Sequence, residues 1–332
     1  MPVGVGVYGT NGHQIQGLLA EHPRATLVAV AGMDLTALPA PLRTRSIRVC
    51  GSLEDLVHAP GVQLVSLCSP RRRDQARDAI CCLEAGRHVY AEKPCAMSEW
   101  ALDAIMSAVS RTGMQFHEMA GTAFGQPYLA MRGVVLSGVL GTVVQVIAQK
   151  SYPYHDGRPQ DEDVDGGLIG QNGVHALRFV EHVACRRITD IRAVQTSLGN
   201  PHCGGLQMAA SLMMQLDNGG VASVVANYLN QRGLGSWGNE MLRIFGTQGF
   251  VEAVDGGTRT RLVIGDRDMG PLDTTAPGLE FFDCFIDSLV GLGTMPLSLE
   301  EELHPTRMAL RARESAMRDR LARADWTSRS MS

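Results

Sequence analysis

The stretch VGVGVYGTNGHQ, residues 3–14, decides how the first half of the chain folds. Its first six residues are apolar and rich in β-branched side chains, which predicts a buried strand over 3–8. Gly4, Gly6 and Gly9 spell the pattern G-x-G-x-x-G, but Gly4 and Gly6 then lie inside the strand. A phosphate-binding turn must follow a strand and open a helix, because the ligand needs unpaired backbone N–H groups.

The turn is therefore predicted at residues 9–14, ahead of a helix that begins at Ile15. Gly9 keeps the first glycine of the dinucleotide fingerprint, while Asn11 and Gln14 stand where the second and third glycines usually do. Asn tolerates left-handed backbone better than most residues, so a tight turn is compatible with this sequence. A nucleotide site and a plain strand-to-helix connection both remain open at this point. The predicted cofactor contacts in the turn are Gly9, Thr10, Asn11, Gly12, His13 and Gln14.

A second buried strand is predicted over residues 26–31, and Asp34 follows it. Asp34 comes 25 residues after Gly9, close to the spacing at which a carboxylate meets the ribose hydroxyls. Because a carboxylate repels a 2′-phosphate, Asp34 favours NAD over NADP. The more usual acidic position is occupied by Gly32, and nearby arginines leave NADP as the alternative.

The alternation of strands and helices continues towards residue 91 and predicts an α/β fold with a doubly wound parallel (Rossmann) sheet. The further strands are predicted at 46–50, 62–67 and 87–91, with a helix at 72–85. Ligands bind such sheets at the carboxyl ends of the strands. The predicted cofactor contacts therefore include Ser69 and Pro70 after the fourth strand, and Glu92 and Lys93 after the fifth. The basic run 71–73 is predicted as a solvated helix start, with an anion contact as the alternative.

Residues 84–98, EAGRHVYAEKPCAMS, carry Glu-Lys-Pro directly after the fifth strand. This segment resembles the signature of the Gfo/Idh/MocA family (glucose–fructose oxidoreductase, inositol dehydrogenase, rhizopine catabolism), and the resemblance extends over nearly the whole chain. It implies a Rossmann domain at 1–121, followed at 122–332 by a substrate-binding and oligomerisation domain with a large, open, mostly antiparallel sheet. Packing of the C-terminal helix back on the first domain is left open.

The second half shows a pattern of its own that agrees with this implication. Six strands with few helical crossovers predict a meander, and DNGG at 217–220 indicates a hairpin turn. One face of the sheet, with Met213 and Val225, is predicted to pair with a second subunit in a homo-oligomer. Pro305 is predicted to start the last helix. The strands are predicted at 141–150, 190–198, 209–216, 221–228, 242–245 and 261–264, and the helices at 124–136, 174–184, 278–289 and 305–324.

Lys93 and His175 are the predicted catalytic residues, and both are also predicted to contact substrate. A lysine desolvated beside a cofactor has its pKa pulled down, so that it can take an alcohol proton, and as a cation it stabilises an alkoxide. An ordinary surface lysine is the alternative. GGLIGQNGVH, residues 166–175, resembles the family segment in which a histidine acts as acid/base and an aspartate holds the substrate. Gln171 stands in the place of that aspartate and is predicted to bind substrate. A purely structural role is the alternative for His175.

Other residues depart from the family pattern on the substrate side. Asp74 replaces a histidine, and Gly121 and Ala123 replace an asparagine and an arginine. The resemblance therefore implies an NAD(P)-dependent oxidoreductase that acts on a sugar, sugar derivative or cyclitol, with an unusual substrate or a lost activity. Two other functions remain open, namely a dinucleotide-sensing regulatory protein and an NAD-dependent glycoside hydrolase.

Composition limits the other partners. The net charge is −4 without a basic stripe, which excludes the usual nucleic-acid binding surface. No apolar stretch reaches the roughly 20 residues of a membrane span, and no signal peptide is recognisable. Eight scattered cysteines without a C-x-x-C pair fit a reducing cytoplasm. No metal site is expected, and the acidic run 161–165 is predicted as a solvated loop.

Overall fold

The computed structural model describes residues 1–119 and 121–330, with side chains up to residue 319. The strands are β1 (Val3–Tyr8), β2 (Ala25–Ala31), β3 (Arg48–Cys50), β4 (Leu64–Leu67), β5 (His88–Ala91), β6 (Phe116–Glu118), β7 (Val143–Ser151), β8 (Ile188–Thr196), β9 (Ala209–Leu216), β10 (Val221–Asn227), β11 (Met241–Gly246), β12 (Gly249–Val254), β13 (Arg259–Ile264) and β14 (Arg267–Gly270). The α-helices are α1 (Gln16–Leu19), α2 (Ala40–Arg43), α3 (Leu53–Val57), α4 (Gln75–Glu84), α5 (Glu99–Thr112), α6 (Tyr128–Leu136), α7 (Glu162–Asp165), α8 (Val174–Arg178), α9 (Phe281–Leu289) and α10 (Leu299–Ser330).

The chain forms two compact units that are not contiguous in sequence. The first takes in Met1–Ala120, Asp163–Gly166 and Glu280–His304, and the second takes in the remaining segments. The division into a cofactor domain at 1–121 and a substrate domain at 122–332 stays a prediction, and its last residues, 331 and 332, lie outside the described residues. No helix among the described residues combines the length and the apolar character that crossing a membrane requires.

The first unit is built on a six-stranded sheet in the order β3-β2-β1-β4-β5-β6. All of its pairings are parallel, so the predicted Rossmann sheet is confirmed. β1 and β4 lie side by side where the strand order reverses, which is the place where doubly wound sheets bind ligands. β6 is not predicted from the sequence, because three residues show no alternation.

Helix α5 of the first unit shows how local sequence sets the boundaries of an element. The Ser98 side chain accepts a hydrogen bond from the Ala101 N–H at the start, and Gly113 ends the helix in the left-handed conformation at φ +70°. Leu102, Ile105 and Ala108 recur at helical spacing and are all buried. The helix therefore packs one face and ends where a glycine allows the chain to turn.

The second unit contains an eight-stranded sheet in the order β14-β13-β12-β11-β7-β10-β9-β8. The expectation of a mostly antiparallel sheet is confirmed, but the predicted simple meander is wrong. β7 lies between β11 and β10 and pairs with β10 in parallel. Local patterns locate six of these eight strands, miss β12 and β14, and carry no signal for the insertion of β7 between two later strands.

Three predicted helices begin elsewhere, among them α9, which begins at Phe281 rather than at residue 278. The helix predicted over 124–136 is interrupted, because α6 begins only after Pro127, and a residue that precedes proline avoids helical backbone. Pro305 lies inside α10 rather than at its start. Ser298 and Glu301 set that start, since Ser298 N–H donates to Glu301 Oε2 (2.9 Å) and Glu301 N–H donates to Ser298 Oγ (3.3 Å).

Candidate functional site

The turn at residues 9–14 follows β1 at the carboxyl edge of the parallel sheet, as predicted. Gly4 lies within β1, where an added Cβ would come within 1.8 Å of the Gly61 carbonyl oxygen. Gly9 has φ +73°, and a Cβ there would come within 2.1 Å of the Cys68 carbonyl oxygen. Gly4 therefore serves strand packing, whereas Gly9 lets the turn approach the end of β4.

Asn11 fixes this turn against two other segments. Its side-chain Nδ2 donates to the carbonyl oxygens of Ser69 (3.4 Å), Pro70 (3.2 Å) and Val164 (2.6 Å). The predicted residues of the turn and of the loop after β4 are thus brought together. Within the turn, the Gln14 amide donates to the Gly12 carbonyl (3.2 Å), and Gly12 N–H donates to the Thr10 carbonyl (3.1 Å).

Asp34 lies exposed after β2. Its carboxylate accepts a hydrogen bond from the Thr36 N–H (2.8 Å), and this bond lowers the pKa of Asp34. An ionised, exposed carboxylate at this edge of the sheet suits the hydroxyl groups of a ribose. With the glycine turn at the switch point between β1 and β4, the residues present fit a dinucleotide, which the turn, Pro70 and Asp34 would contact. The predicted contact Ser69 is fully buried, and its hydroxyl donates to Asp78 (2.8 Å).

Arg72 departs from the predicted solvated helix start. Its buried guanidinium donates to the Asn11 carbonyl oxygen (2.7 Å) and to Gln75 Oε1 (2.8 Å), while Arg73 stays exposed and pairs with Asp163 (3.4 Å). A run of like charges normally indicates solvent exposure. A member of such a run can nevertheless be buried when a carbonyl oxygen from a distant segment accepts its hydrogen bonds, as Asn11 does for Arg72. Arg72 therefore contributes a buried positive charge beside the turn.

The acidic run 161–165 is not the predicted solvated loop. Glu162–Asp165 form α7, and Asp165 is buried. Glu162 Oε2 pairs with Arg313 (2.9 Å), and the Val164 carbonyl is the one that Asn11 contacts. Among the described residues, no group of three or more His, Cys, Asp or Glu side chains is placed to hold a metal ion.

Glu92 and Lys93 form a buried ion pair directly after β5. Lys93 Nζ lies 3.5 Å from Glu92 Oε1, and Lys93 is 1% exposed, which excludes the surface-lysine alternative. Burial raises the pKa of Glu92, but the Lys93 ammonium and the hydrogen bond from His13 outweigh it and hold the pKa at about 2. Gln75 Nε2 donates to the Glu92 carbonyl (2.6 Å) and so links this loop to α4.

A buried network behind this loop was not visible in the sequence. Glu118 Oε1 accepts from the Cys95 N–H (2.6 Å), and Glu302 Oε1 accepts from the Glu118 N–H (2.6 Å). His117 Nδ1 lies 2.6 Å from Glu302 Oε2. These contacts anchor the segment that carries Lys93, and only tertiary structure brings them together.

His175 is buried in α8 of the second unit. Its Nδ1 lies 3.1 Å from the Thr122 hydroxyl, which fixes the orientation of the imidazole. Thr122 stands between the two positions, Gly121 and Ala123, that depart from the family pattern. Sequence reasoning missed Thr122, because no spacing rule links it to His175.

Gln171 lies in a π-helical turn, Ile169–Gly173, that precedes α8. Its Oε1 accepts a hydrogen bond from the Tyr228 hydroxyl (3.3 Å). The Arg158 guanidinium lies 3.6 Å from the centre of the Tyr228 ring. Tyr228 and Arg158 are additional candidates near Gln171 that the sequence did not single out.

Comparison with known proteins decides the family. The sequence profile described as "Oxidoreductase family, NAD-binding Rossmann fold" matches residues 3–119, and that of the GFO/IDH/MocA C-terminal domain matches residues 128–252. The chain belongs to the Gfo/Idh/MocA family. As a member of this family, it carries the Glu-Lys-Pro segment on the unit that matches the NAD-binding profile, and His175 on the unit that matches the C-terminal profile.

Several known proteins resemble this Gfo/Idh/MocA chain. It is 26% identical over 260 residues to trans-1,2-dihydrobenzene-1,2-diol dehydrogenase of Bos taurus, covering 77% of this chain and 74% of the relative. It is 26% identical over 234 residues to 1-carboxy-3-chloro-3,4-dihydroxycyclohexa-1,5-diene dehydrogenase of Comamonas testosteroni, covering 66% and 56%. A solved structure from Thermotoga maritima has a TM-score of 0.84 at 24% identity, covering 94% of this chain and 97% of the other, which shows the shared fold. The family and the two dehydrogenases support an oxidoreductase that binds NAD(P).

Proposed function

We propose that this protein transfers hydride between a secondary alcohol or carbonyl of a sugar, sugar derivative or cyclitol and the nicotinamide of NAD(P). The burial of Lys93 beside Glu92, at the carboxyl end of β5, carries the proposal. Burial of an ammonium group costs folding free energy unless a partner compensates its charge. Buried ionisable groups of this kind are often found at functional sites, and proton exchange with an alcohol oxygen is a function that Lys93 can serve.

The bound dinucleotide supplies the nicotinamide ring that accepts the hydride. Lys93 Nζ takes the hydroxyl proton when it is neutral and stabilises the alkoxide when it is charged. His175 serves as a second acid/base group, held in orientation by Thr122. Gln171, supported by Tyr228, orients a substrate hydroxyl through its amide, since an amide cannot act as a base.

The names of two relatives support the proposed substrate class. The bovine and Comamonas dehydrogenases are both named for diols on a six-membered carbon ring. A cyclitol combines such a ring with adjacent secondary hydroxyls. We therefore place cyclitols and other cyclic vicinal diols first among the candidate substrates, with sugars and sugar derivatives next.

The cofactor is proposed to be NAD rather than NADP. Asp34 is exposed and its pKa is lowered, so an anionic 2′-phosphate would meet a negative charge there. Thermal unfolding with NAD and with NADP tests this preference, because a ligand that binds only the folded state raises the midpoint. We expect a rise of several degrees with NAD and a smaller rise with NADP. No rise with either dinucleotide would contradict the proposed function.

Turnover is then tested with NAD and a panel of inositols, cyclic vicinal diols and aldoses. Appearance of the reduced dinucleotide with any of them supports the enzyme. Binding of NAD without turnover of any panel member contradicts the proposed substrate class and favours the sensing alternative. Asp34→Ala should shift the dinucleotide preference towards NADP and leave the panel ranking unchanged.

A further inference from the structure

Lys93 needs a route by which to exchange protons with water. In the oxidation proposed above, on which this inference rests, the carbinol C–H leaves as hydride to the dinucleotide and the hydroxyl proton goes to Lys93 Nζ. The alcohol is oxidised to a carbonyl, and Lys93 must lose the proton before it can act again. With 1% of its side chain exposed, Lys93 cannot pass that proton directly to bulk solvent.

Glu92 contacts both the buried Lys93 and the largely exposed His13. Glu92 Oε1 is 3.5 Å from Lys93 Nζ and 3.1 Å from His13 Nδ1. Glu92 Oε2 lies 2.9 Å from His13 Nδ1 and accepts the His13 backbone N–H at 2.6 Å. The Glu92 side chain is buried, whereas 60% of the His13 side chain is exposed.

Gly12 makes the contact between Glu92 and the turn possible. It has φ +133°, and a Cβ at this position would lie 2.4 Å from Glu92 Cγ. Any other residue would therefore push Glu92 away from the turn. This accounts for the extra glycine of the turn, which the dinucleotide fingerprint does not require.

The groups around Glu92 favour its carboxylate form, so Glu92 holds a relayed proton only transiently. The charged or titratable groups that act on it are Lys93, His13 and Arg72. The Cys68 thiol donates to the His13 carbonyl oxygen (3.2 Å), and burial raises the pKa of Cys68 to about 12, so the thiol stays protonated. Cys68 therefore holds the turn and does not carry the proton.

We propose that His13 is the outlet through which Lys93 exchanges protons with solvent, with Glu92 as the link. The proton moves from Lys93 Nζ to Glu92 Oε1 and from there to Nδ1 of His13 in its Nε2–H tautomer. The imidazolium then releases its Nε2 proton to water, and the ring returns from the Nδ1–H to the Nε2–H tautomer by proton exchange with water. Lys93 returns to the neutral amine and Glu92 to the carboxylate. Carbonyl reduction uses the same path in reverse and draws one proton from water.

The chain contains two lysines, Lys93 and Lys150, which makes the path directly measurable. Labelling with ¹⁵N-lysine gives two side-chain signals, and Lys150, buried and paired with Glu240, is the internal control. In the cofactor-free protein, His13→Asn keeps a hydrogen-bond donor beside Glu92 but cannot relay a proton. We expect exchange of the Lys93 Nζ protons with water to slow by at least about tenfold, with Lys150 unchanged. An unchanged Lys93 exchange rate overturns the proposal.

Turnover gives a second measurement, because imidazole should rescue kcat only if His13 carries a proton and not if its role is structural. His13→Asn should lower kcat by about tenfold or more at saturating NAD, and added imidazole should restore kcat. His58→Asn, which changes an exposed histidine at the end of α3, is the matched control and should behave as wild type. Loss of kcat without rescue by imidazole contradicts the relay.

A second variant keeps the test decisive if His13→Asn does not fold. Glu92→Gln interrupts the same path at its middle and should slow Lys93 exchange to a similar extent. Because the exchange experiment needs neither cofactor nor substrate, it judges the relay even if no panel member is oxidised. Failure of the proposed function and failure of the relay are therefore distinguishable.

Discussion

At the residue scale, Gly12 has a backbone conformation that favours glycine and also leaves the space that the Glu92 side chain occupies. Gly12→Ala would force a Cβ against Glu92 at a φ that side chains rarely adopt. We expect the free energy of unfolding to fall by about 1–3 kcal/mol in urea titrations. Gly17→Ala in α1, where no heavy atom lies near the added Cβ, should be neutral or stabilising by about 0.5 kcal/mol. Equal stability of the two variants would contradict this account of the turn.

Glu92 gives the first unit a specific pH dependence. Its pKa is lowered from 4.5 to about 2, so its ionised form stabilises the fold above the ordinary carboxyl range. That stabilisation is lost as the pH falls from about 5 towards 2. Glu92→Gln should be less stable than wild type at neutral pH, and the difference should shrink on acidification. Urea midpoints across this range measure it, and a difference independent of pH would contradict the prediction.

The candidate site could be predicted from sequence only where a residue of suitable chemistry lies in a recognisable sequence motif. Lys93 and His175 are predicted as catalytic residues because their segments resemble a family signature. The burial of Arg72 is not predicted, since it depends on a carbonyl some 60 residues away in sequence. Thr122 and Tyr228 were missed for the same reason, because each meets its partner only after the second unit has folded.

At the element scale, the start of α10 depends on Ser298 and Glu301. Ser298→Ala removes the hydroxyl that accepts the Glu301 N–H, and we expect a loss of about 1 kcal/mol in the free energy of unfolding. Ser298→Thr keeps the hydroxyl and should retain most of the stability. Thermal unfolding of both variants checks the prediction. If alanine and threonine have the same effect, the capping contacts do not set the start of the helix.

Single strands and helices were more predictable than the way they are arranged. β1 and β9 match the predicted bounds, because each shows a continuous or alternating apolar pattern. The predicted starts of α6 and α10 are wrong, and a proline is involved in each. α6 begins only after Pro127, and Pro305 lies inside α10 rather than at its start. The position of β7 depends on pairing between distant segments, which no local pattern contains.

At the scale of the whole molecule, we also propose that the sheet of the second unit pairs with a second copy of the chain. Val194, Met213 and Val225 lie exposed on β8, β9 and β10, and their neighbours along each strand are mostly buried. These apolar side chains share the exposed face with Arg192, Ser211 and Ser223, and exposed apolar residues grouped on one sheet face are typical of an interface.

The variant Met213→Glu tests this interface, because it puts a charge on the side chain that is 67% exposed. Light scattering should give an oligomer for wild type and a shift towards the monomer mass for this variant. Trp100→Glu changes an exposed apolar residue of the first unit and should leave the mass unchanged. A wild-type monomer, or an oligomer that Met213→Glu does not weaken, would contradict the proposal.

The central claim, that Lys93 takes the proton of an alcohol whose hydride goes to the dinucleotide, is tested most directly with a deuterated cyclitol. Deuterium at the carbinol carbon is followed into the reduced dinucleotide by NMR, in wild type and in Lys93→Met. We predict transfer by wild type and a rate lower by at least about a hundredfold in Lys93→Met, with the NAD-induced thermal shift retained. Transfer at the wild-type rate by Lys93→Met would contradict the claim.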